Sequence, residues 1–459
     1  MKKLILSISV LCSVLFGTAQ VSTSLNNAFK EFKKDSQLAY SLTGLHIINA
    51  STHEVVFSDH AQIGMAPAST QKNLIAATIL EILGEDYRYT TKFGFTKKDG
   101  KTILCIQPSG DPSLGSWRWN ETKDSLIAIK LAKALQEKGV ERFNEVYILQ
   151  DTWQDDMVPR AWIWEDLGQY YGASPHYLNW RENQFDIFLK SGKNIGDKVS
   201  IVRTSPKMVN YPMTSKLTSG APNSEDNSLM FYPSLGNAKA IIRGTIPANK
   251  NDFKVSLSMP NPALQFVAAL ANAQKNKQDM SHLPIMHISA KNIGTIDWVY
   301  EHQSPKLSEM VYWYLRKSIN LYGEAFMLKM AEVQKGYADY DKGIEAVHDF
   351  WKDKGIDARA IHLYDGSGLS PQNRITPEAE VAVLQRMYNG KFKKIFIDAL
   401  PTYNDMKMKS GTINYVKGYT GVHTSKDGTT YLFSFLVNNY NGSQLSLIRK
   451  MYRILDLLK

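Results

Sequence analysis

One stretch sets the strongest limit on what this 459-residue chain can become: Ala68-Ser69-Thr70-Gln71-Lys72-Asn73-Leu74-Ile75-Ala76-Ala77-Thr78-Ile79-Leu80-Glu81-Ile82-Leu83. It reads as a helix. From Leu74 onward apolar side chains cover nearly its whole circumference, and Gly84 ends it. A helix apolar on every side has to be enclosed, so this one is expected at the centre of a core. The composition permits that: 43% hydrophobic and 11% aromatic residues suffice for more than one core, and two or three domains are expected.

The amino terminus has a different character. Lys2 and Lys3 precede an apolar run from Leu4 to Phe16, and small residues lead to Ala19 and Gln20. Residues 1–20 therefore read as a secretory signal peptide, too short for a comfortable membrane span. Leu11 before Cys12 does not fit a lipid-anchor site. Without this segment Cys105 is the only cysteine, which excludes an intramolecular disulfide. Its setting, Ile103-Leu104-Cys105-Ile106, suits a small buried hydrophobe better than a nucleophile. The formal charge of +10 drops by the two lysines of the signal to +8, and no run of five like charges appears. A solvated basic surface is expected, with no nucleic-acid partner and no integral membrane segment after cleavage. The ten histidines lack His-Glu-x-x-His spacing, so neither a metal nor a cofactor is expected.

Along the chain, Leu45 to Phe57 reads as two short strands broken around Asn49-Ala50-Ser51-Thr52, and Tyr87 to Ile106 as a hairpin turning at Lys98-Asp99-Gly100. The stretch from about 108 to 285 mixes short strands and Trp-rich irregular sequence and reads as inserted material. Helical spacing returns with Leu307, Met310, Val311, Tyr314 and Leu315. A second helix is expected to run to about Gly336 and a third from Gly343 to Gly355. Strands follow at Tyr415–Thr424 and Thr429–Asn438, then an amphipathic helix carrying Leu445, Ile448, Met451, Tyr452, Leu455 and Leu458. This order predicts an α+β fold, an antiparallel sheet with helices on its faces.

Ser69 and Lys72 stand three apart at the start of the apolar helix, on one face and near the positive end of its dipole. A serine hydroxyl becomes a nucleophile when a neighbouring base takes its proton, and a desolvated lysine can be that base. Ser-x-x-Lys alone recurs by chance and equally suits a capped helix with a solvated lysine. Two further elements give it weight: Ser318-Ile319-Asn320 in a break between helices, and Lys409-Ser410-Gly411-Thr412 directly ahead of strand-like sequence. In the second, the glycine would let substrate approach the backbone and the lysine could hold a carboxylate.

With these motifs the chain resembles the penicillin-binding protein and serine β-lactamase superfamily. Within it the similarity is to the class C low-molecular-mass penicillin-binding proteins, the D-alanyl-D-alanine carboxypeptidase/endopeptidases of penicillin-binding protein four type. Ser109-Gly110-Asp111-Pro112-Ser113-Leu114, Leu321-Tyr322-Gly323-Glu324 and Asp365-Gly366-Ser367-Gly368-Leu369-Ser370 look like further signature stretches of that family. The resemblance implies a transpeptidase/β-lactamase-like domain over 21–90 and 286–459, an insert over 91–178 and 256–285, and a nested insert over 179–255. It implies Ser69 as nucleophile, Lys72 as general base, Ser318 as a proton relay to the leaving amine and Asn320 as a hydrogen-bond partner of the substrate amide. Lys409, Ser410, Gly411 and Thr412 would help bind substrate, with the N–H groups of Ser69 and Thr412 as the oxyanion hole. Asp166 matches the family's diaminopimelate-side-chain aspartate, whereas Pro371 stands where an arginine is usual, with Arg374 three residues on. The implied activity is penicillin-sensitive cleavage of peptidoglycan stem peptides or crosslinks in the periplasm or at the cell surface, with β-lactams as covalent inhibitors. A β-lactamase or esterase on the same scaffold, or a non-catalytic wall-binding protein, are the alternatives.

Overall fold

The computed structural model describes residues 20–154, 158–231, 239–274 and 283–459. The expected signal peptide lies outside the described residues except for Gln20, which is helical. The chain forms two compact units: one from residues up to 85, 311–319 and 344–459, the other from 86–310 and 320–343.

The first unit is built on a six-stranded sheet in the order Thr402–Tyr403, Met406–Ile413, Val416–Thr424, Thr430–Asn438, Leu42–Asn49, Val55–Asp59. Every pair in it is antiparallel, and its central strands are buried along almost their whole length, because helices cover both faces. On one face the helix over 20–33 supplies Leu25, Phe29 and Phe32, and the Gln444–Leu455 helix supplies Leu447, Met451 and Leu455. On the other lie the expected central helix and a helix over Pro377–Asn389. Lys72–Leu83 is indeed buried through Leu80, and the indole Nε1 of Trp351 donates to Thr78 Oγ1 at 2.8 Å to hold it. The Pro377–Asn389 helix starts as local chemistry dictates: Thr376 Oγ1 accepts from the N–H of Ala379, and proline occupies the first turn, where its missing N–H is harmless.

The second unit has a five-stranded mixed sheet, Ile285–Ile288, Glu145–Leu149, Lys101–Gln107, Thr90–Lys98, Asp297–Gln303. The expected hairpin is present, with Asp99 and Gly100 both at positive φ (52° and 75°) as a two-residue turn requires. Helices Asp124–Glu137 and Pro262–Ala273 pack beside it, and two three-stranded sheets lie between residues 184 and 258. One apolar cluster runs from Phe93 and Leu104 through Trp180, Phe185 and Leu217 to Phe266 and Leu270. Phe266 is its hub, stacked on Phe93 at 5.3 Å and edge-on to Trp180 at 5.0 Å. Cys105 is fully buried in this unit, and burial pushes its thiol up to about 11, which fits a packing role.

Candidate active site

Ser69 sits in a single 3-10 turn, Ala68–Gln71, which passes directly into the helix that begins at Lys72. Ala68 is held at a positive φ of 48°, a strained conformation that presents the serine ahead of the helix. Three groups of neighbours fix the turn. Gly411 faces Gly418 across the adjacent strands, and a Cβ on Gly411 would lie 2.4 Å from the Pro67 carbonyl and 3.1 Å from the Ser69 nitrogen. The space this glycine leaves is thus taken by the turn carrying Ser69, whereas the sequence suggested that substrate would use it. Glu380, fully buried, accepts from Thr70 Oγ1 at 2.6 Å, Ser434 Oγ at 2.6 Å and Thr420 Oγ1, tying the turn to two strands of the sheet. Burial pushes the Glu380 carboxyl up, against these hydroxyl donors.

The third support is the loop Asp365-Gly366-Ser367-Gly368. Buried Asp365 accepts from the N–H groups of Gly368 (2.7 Å) and Ser370 (2.6 Å) and from Asn373 Nδ2 (2.9 Å), and its own carbonyl accepts from Gln71 Nε2 at 2.6 Å. This is a turn that floors the site. Gly368 has φ of 80°, and a Cβ there would come within 1.9 Å of the Ala68 carbonyl. Gly368→Ala is expected to destabilise the protein by about 1–3 kcal/mol from backbone strain alone, and to slow acylation by benzylpenicillin. A urea melt and an acylation time course check both.

Lys72 is completely buried, and its Nζ donates to Ser69 Oγ at 2.9 Å and to the Ser367 carbonyl at 2.6 Å. It also lies 5.8 Å from the ring of Tyr314, whose hydroxyl donates to the Gly366 carbonyl at 2.8 Å. Tyr314 belongs to the helix Leu307–Lys317, so the element that ends at Ser318 also packs under Lys72. Ser318 itself takes a positive φ of 56° in the break between that helix and the next, Asn320–Lys335. Lys409 and Thr412 lie inside the strand Met406–Ile413 and not ahead of it, a correction to the reading from sequence. The apolar partners Met406 and Met408 alternate with Lys407, and that short pattern was too weak to announce a strand. Lys409 is 1% exposed, its Nζ donates to the Ser410 carbonyl at 2.9 Å, and burial, then the charges of Lys72 and Lys417, hold its ammonium well below the usual lysine range.

The first unit therefore brings together Ser69, Lys72 and the Lys409–Thr412 segment, and carries Ser318 just past the end of a helix that packs beside Lys72. Asn320 and Asp166 belong to the second unit. There Asn320 Nδ2 donates to the Tyr171 carbonyl at 2.7 Å, and the Tyr171 hydroxyl donates to Asp166 Oδ1 at 3.3 Å. Burial raises the Asp166 carboxyl to about 6, although the Tyr171 hydrogen bond opposes this. Arg374 Nη1 donates to the carbonyls of Pro371 and Asn373, both at 2.7 Å.

The profile of the D-Ala-D-Ala carboxypeptidase 3 (S13) family matches residues 25–456. The chain belongs to that family. Members are serine peptidases, and this chain is a hydrolase of that class with their transpeptidase/β-lactamase-like fold. Among relatives, penicillin-sensitive carboxypeptidase A of Dictyostelium discoideum is 24% identical, over 88% of this chain and 83% of its own. The D-alanyl-D-alanine carboxypeptidase of Actinomadura sp. is 23% identical, over 92% and 82%. The crystal structure of penicillin binding protein 4 from Haemophilus influenzae superposes with a TM-score of 0.76 at 19% identity, covering 94% of this chain and 99% of that one. Sequence reasoning passed over Lys417, whose Nζ donates to Thr412 Oγ1 at 2.9 Å. A two-residue turn at Asn414-Tyr415 would have placed 417 opposite 412 by counting alone.

Proposed function

We propose that this protein hydrolyses the D-alanyl bonds of peptidoglycan stem peptides or crosslinks through an acyl-enzyme on Ser69. The observation that carries the reading is the 2.9 Å contact between Ser69 Oγ and the buried Nζ of Lys72. In the amine form Lys72 takes the Ser69 proton as Oγ attacks the D-alanyl carbonyl carbon. The N–H groups of Ser69 and Thr412 receive the developing oxyanion, each such donor being worth about 3 kcal/mol. As the C–N bond breaks, Ser318 passes a proton to the leaving amine, and water then hydrolyses the ester on Ser69. Asn320 hydrogen-bonds the substrate amide, and Lys409, Ser410 and Thr412 hold the terminal carboxylate. A half-buried Asp166 carboxyl beside Tyr171 suits the amine of a diaminopimelate side chain.

The expected leader over residues 1–20 supports export across the inner membrane to the periplasm or cell surface. Among the described residues no helix is long and apolar enough to cross a membrane. The separate sheets between 184 and 258 support a nested insert over 179–255 within one over 91–178 and 256–285. β-Lactams are the diagnostic ligands, since a relative is penicillin-sensitive by name and penicillin binding protein 4 has been solved with a β-lactam.

The test is intact-mass spectrometry after brief exposure to benzylpenicillin, followed by peptide mapping. A stable adduct on the peptide carrying Ser69 is expected. An adduct elsewhere, or none with the drug intact, would overturn the reading; no adduct with the drug rapidly hydrolysed would make the protein a β-lactamase.

A further inference from the structure

The hairpin that carries the Lys409–Thr412 segment turns at Asn414-Tyr415, with Tyr415 at a positive φ of 57°, and its register sets Lys417 directly opposite Thr412. Lys417 Nζ donates to Thr412 Oγ1 at 2.9 Å and lies 4.7 Å from the centre of the Tyr419 ring. The side chain is buried, only 4% of the residue being exposed. Lys409, one strand away, is equally buried, and among the described residues neither lysine has a carboxylate within 4.0 Å. Two buried lysine side chains with no carboxylate beside them hold their protons poorly. The state that satisfies them is one with an anion bound. Burial holds Lys417 down to about 8, and an arriving carboxylate would favour its charged form.

Thr412 is exposed where Lys417 is not. Because its oxygen already accepts from Lys417, its hydroxyl proton is left to be donated outward. We propose that Lys417 is a positioning and specificity-determining residue: it fixes the Thr412 hydroxyl as a donor and adds a second positive charge to that of Lys409, so the site selects ligands with a free carboxylate beside the scissile amide. This rests on the reading of Ser69 as the nucleophile and of the Lys409–Thr412 strand as the carboxylate subsite.

The experiment compares wild type, Lys417→Met and Thr412→Val in their acylation by benzylpenicillin and by its neutral methyl ester. A charge-assisted hydrogen bond of ordinary strength predicts that each variant reacts roughly 10- to 100-fold more slowly with the free acid, and that Lys417→Met loses far less with the ester. The double variant should be no slower than the worse single one, because both changes break one interaction. Equal slowing of acid and ester, or no slowing of either, overturns the proposal. A second measurement separates it from the nucleophile reading. In Ser69→Ala protein, binding of N-acetyl-D-Ala-D-Ala over its C-terminal amide should weaken when Lys417 becomes methionine, and an unchanged preference overturns the proposal whether or not wild type is acylated. Failure of wild type to be acylated would instead sink the role of Ser69.

Discussion

Ser69→Ala and Lys72→Met are each expected to slow acylation by benzylpenicillin by about 10^4-fold or more, and the double variant by no more than the slower single one, since groups acting as a unit lose their effect together. The reason is geometric. Lys72 Nζ is the group set against Ser69 Oγ at 2.9 Å, and the Ser367 carbonyl, to which it donates at 2.6 Å, holds it there without being able to take a proton. Methionine keeps the bulk of the buried lysine and removes a polar group from the interior, so the variant should melt at or above the wild-type midpoint. Stopped-flow or mass-spectrometric acylation rates, with melting curves alongside, decide the matter. A Lys72→Met protein that is folded and acylates at the wild-type rate would remove lysine from the chemistry.

The largest effect on stability is expected far from Ser69 in sequence, at Glu182. Its carboxylate is fully buried and accepts from Ser116 Oγ at 2.7 Å, from Arg118 Nε and Nη2 at 2.7 and 3.0 Å, and from the Tyr322 hydroxyl at 3.0 Å. Glu182→Ala removes the carboxylate that a largely buried guanidinium and two hydroxyls share. Breaking a buried pair from one side typically destabilises by about 3–5 kcal/mol. Urea unfolding should show that loss in the second unit, and Glu182→Met combined with Arg118→Met should recover most of it. A single-variant loss below about 1 kcal/mol would mean that water replaces the carboxylate. Tyr322 stands two residues after Asn320 on the same helix, so acylation should slow as well if that helix positions Asn320.

What could be seen in the sequence was whatever announces itself locally. The all-round apolar helix after Ser69, the Asp99-Gly100 turn and the strands up to Asn438 depend on residue type and spacing, and the protein folds them as expected. The Pro377–Asn389 helix went unnoticed although Thr376-Pro377 is a sound start signal. Lys72 was legible because it lies three residues from Ser69. Its acceptor Ser367 was not, since the loop and the helix meet only after 295 residues of chain have folded. Glu380 was hidden for the same reason: its donors come from residues 70, 420 and 434. Lys417 shows the middle case, a contact across a two-residue turn that needed only the register.

The chain passes from one compact unit to the other between Ile319 and Asn320, within the Ser318-Ile319-Asn320 motif, and does not return until Ile344. The second unit is therefore not one uninterrupted stretch of chain. Deleting 86–310 would strand the helix Asn320–Lys335, whose Tyr322, Phe326 and Met330 are buried and whose Tyr322 relies on Glu182. A lineage that shed the second unit could not simply lose one stretch of gene. It would have to repack that helix in the same step, and a partly deleted ancestor would carry an exposed apolar surface prone to aggregation. Entered twice by the chain, the second unit resists removal by deletion.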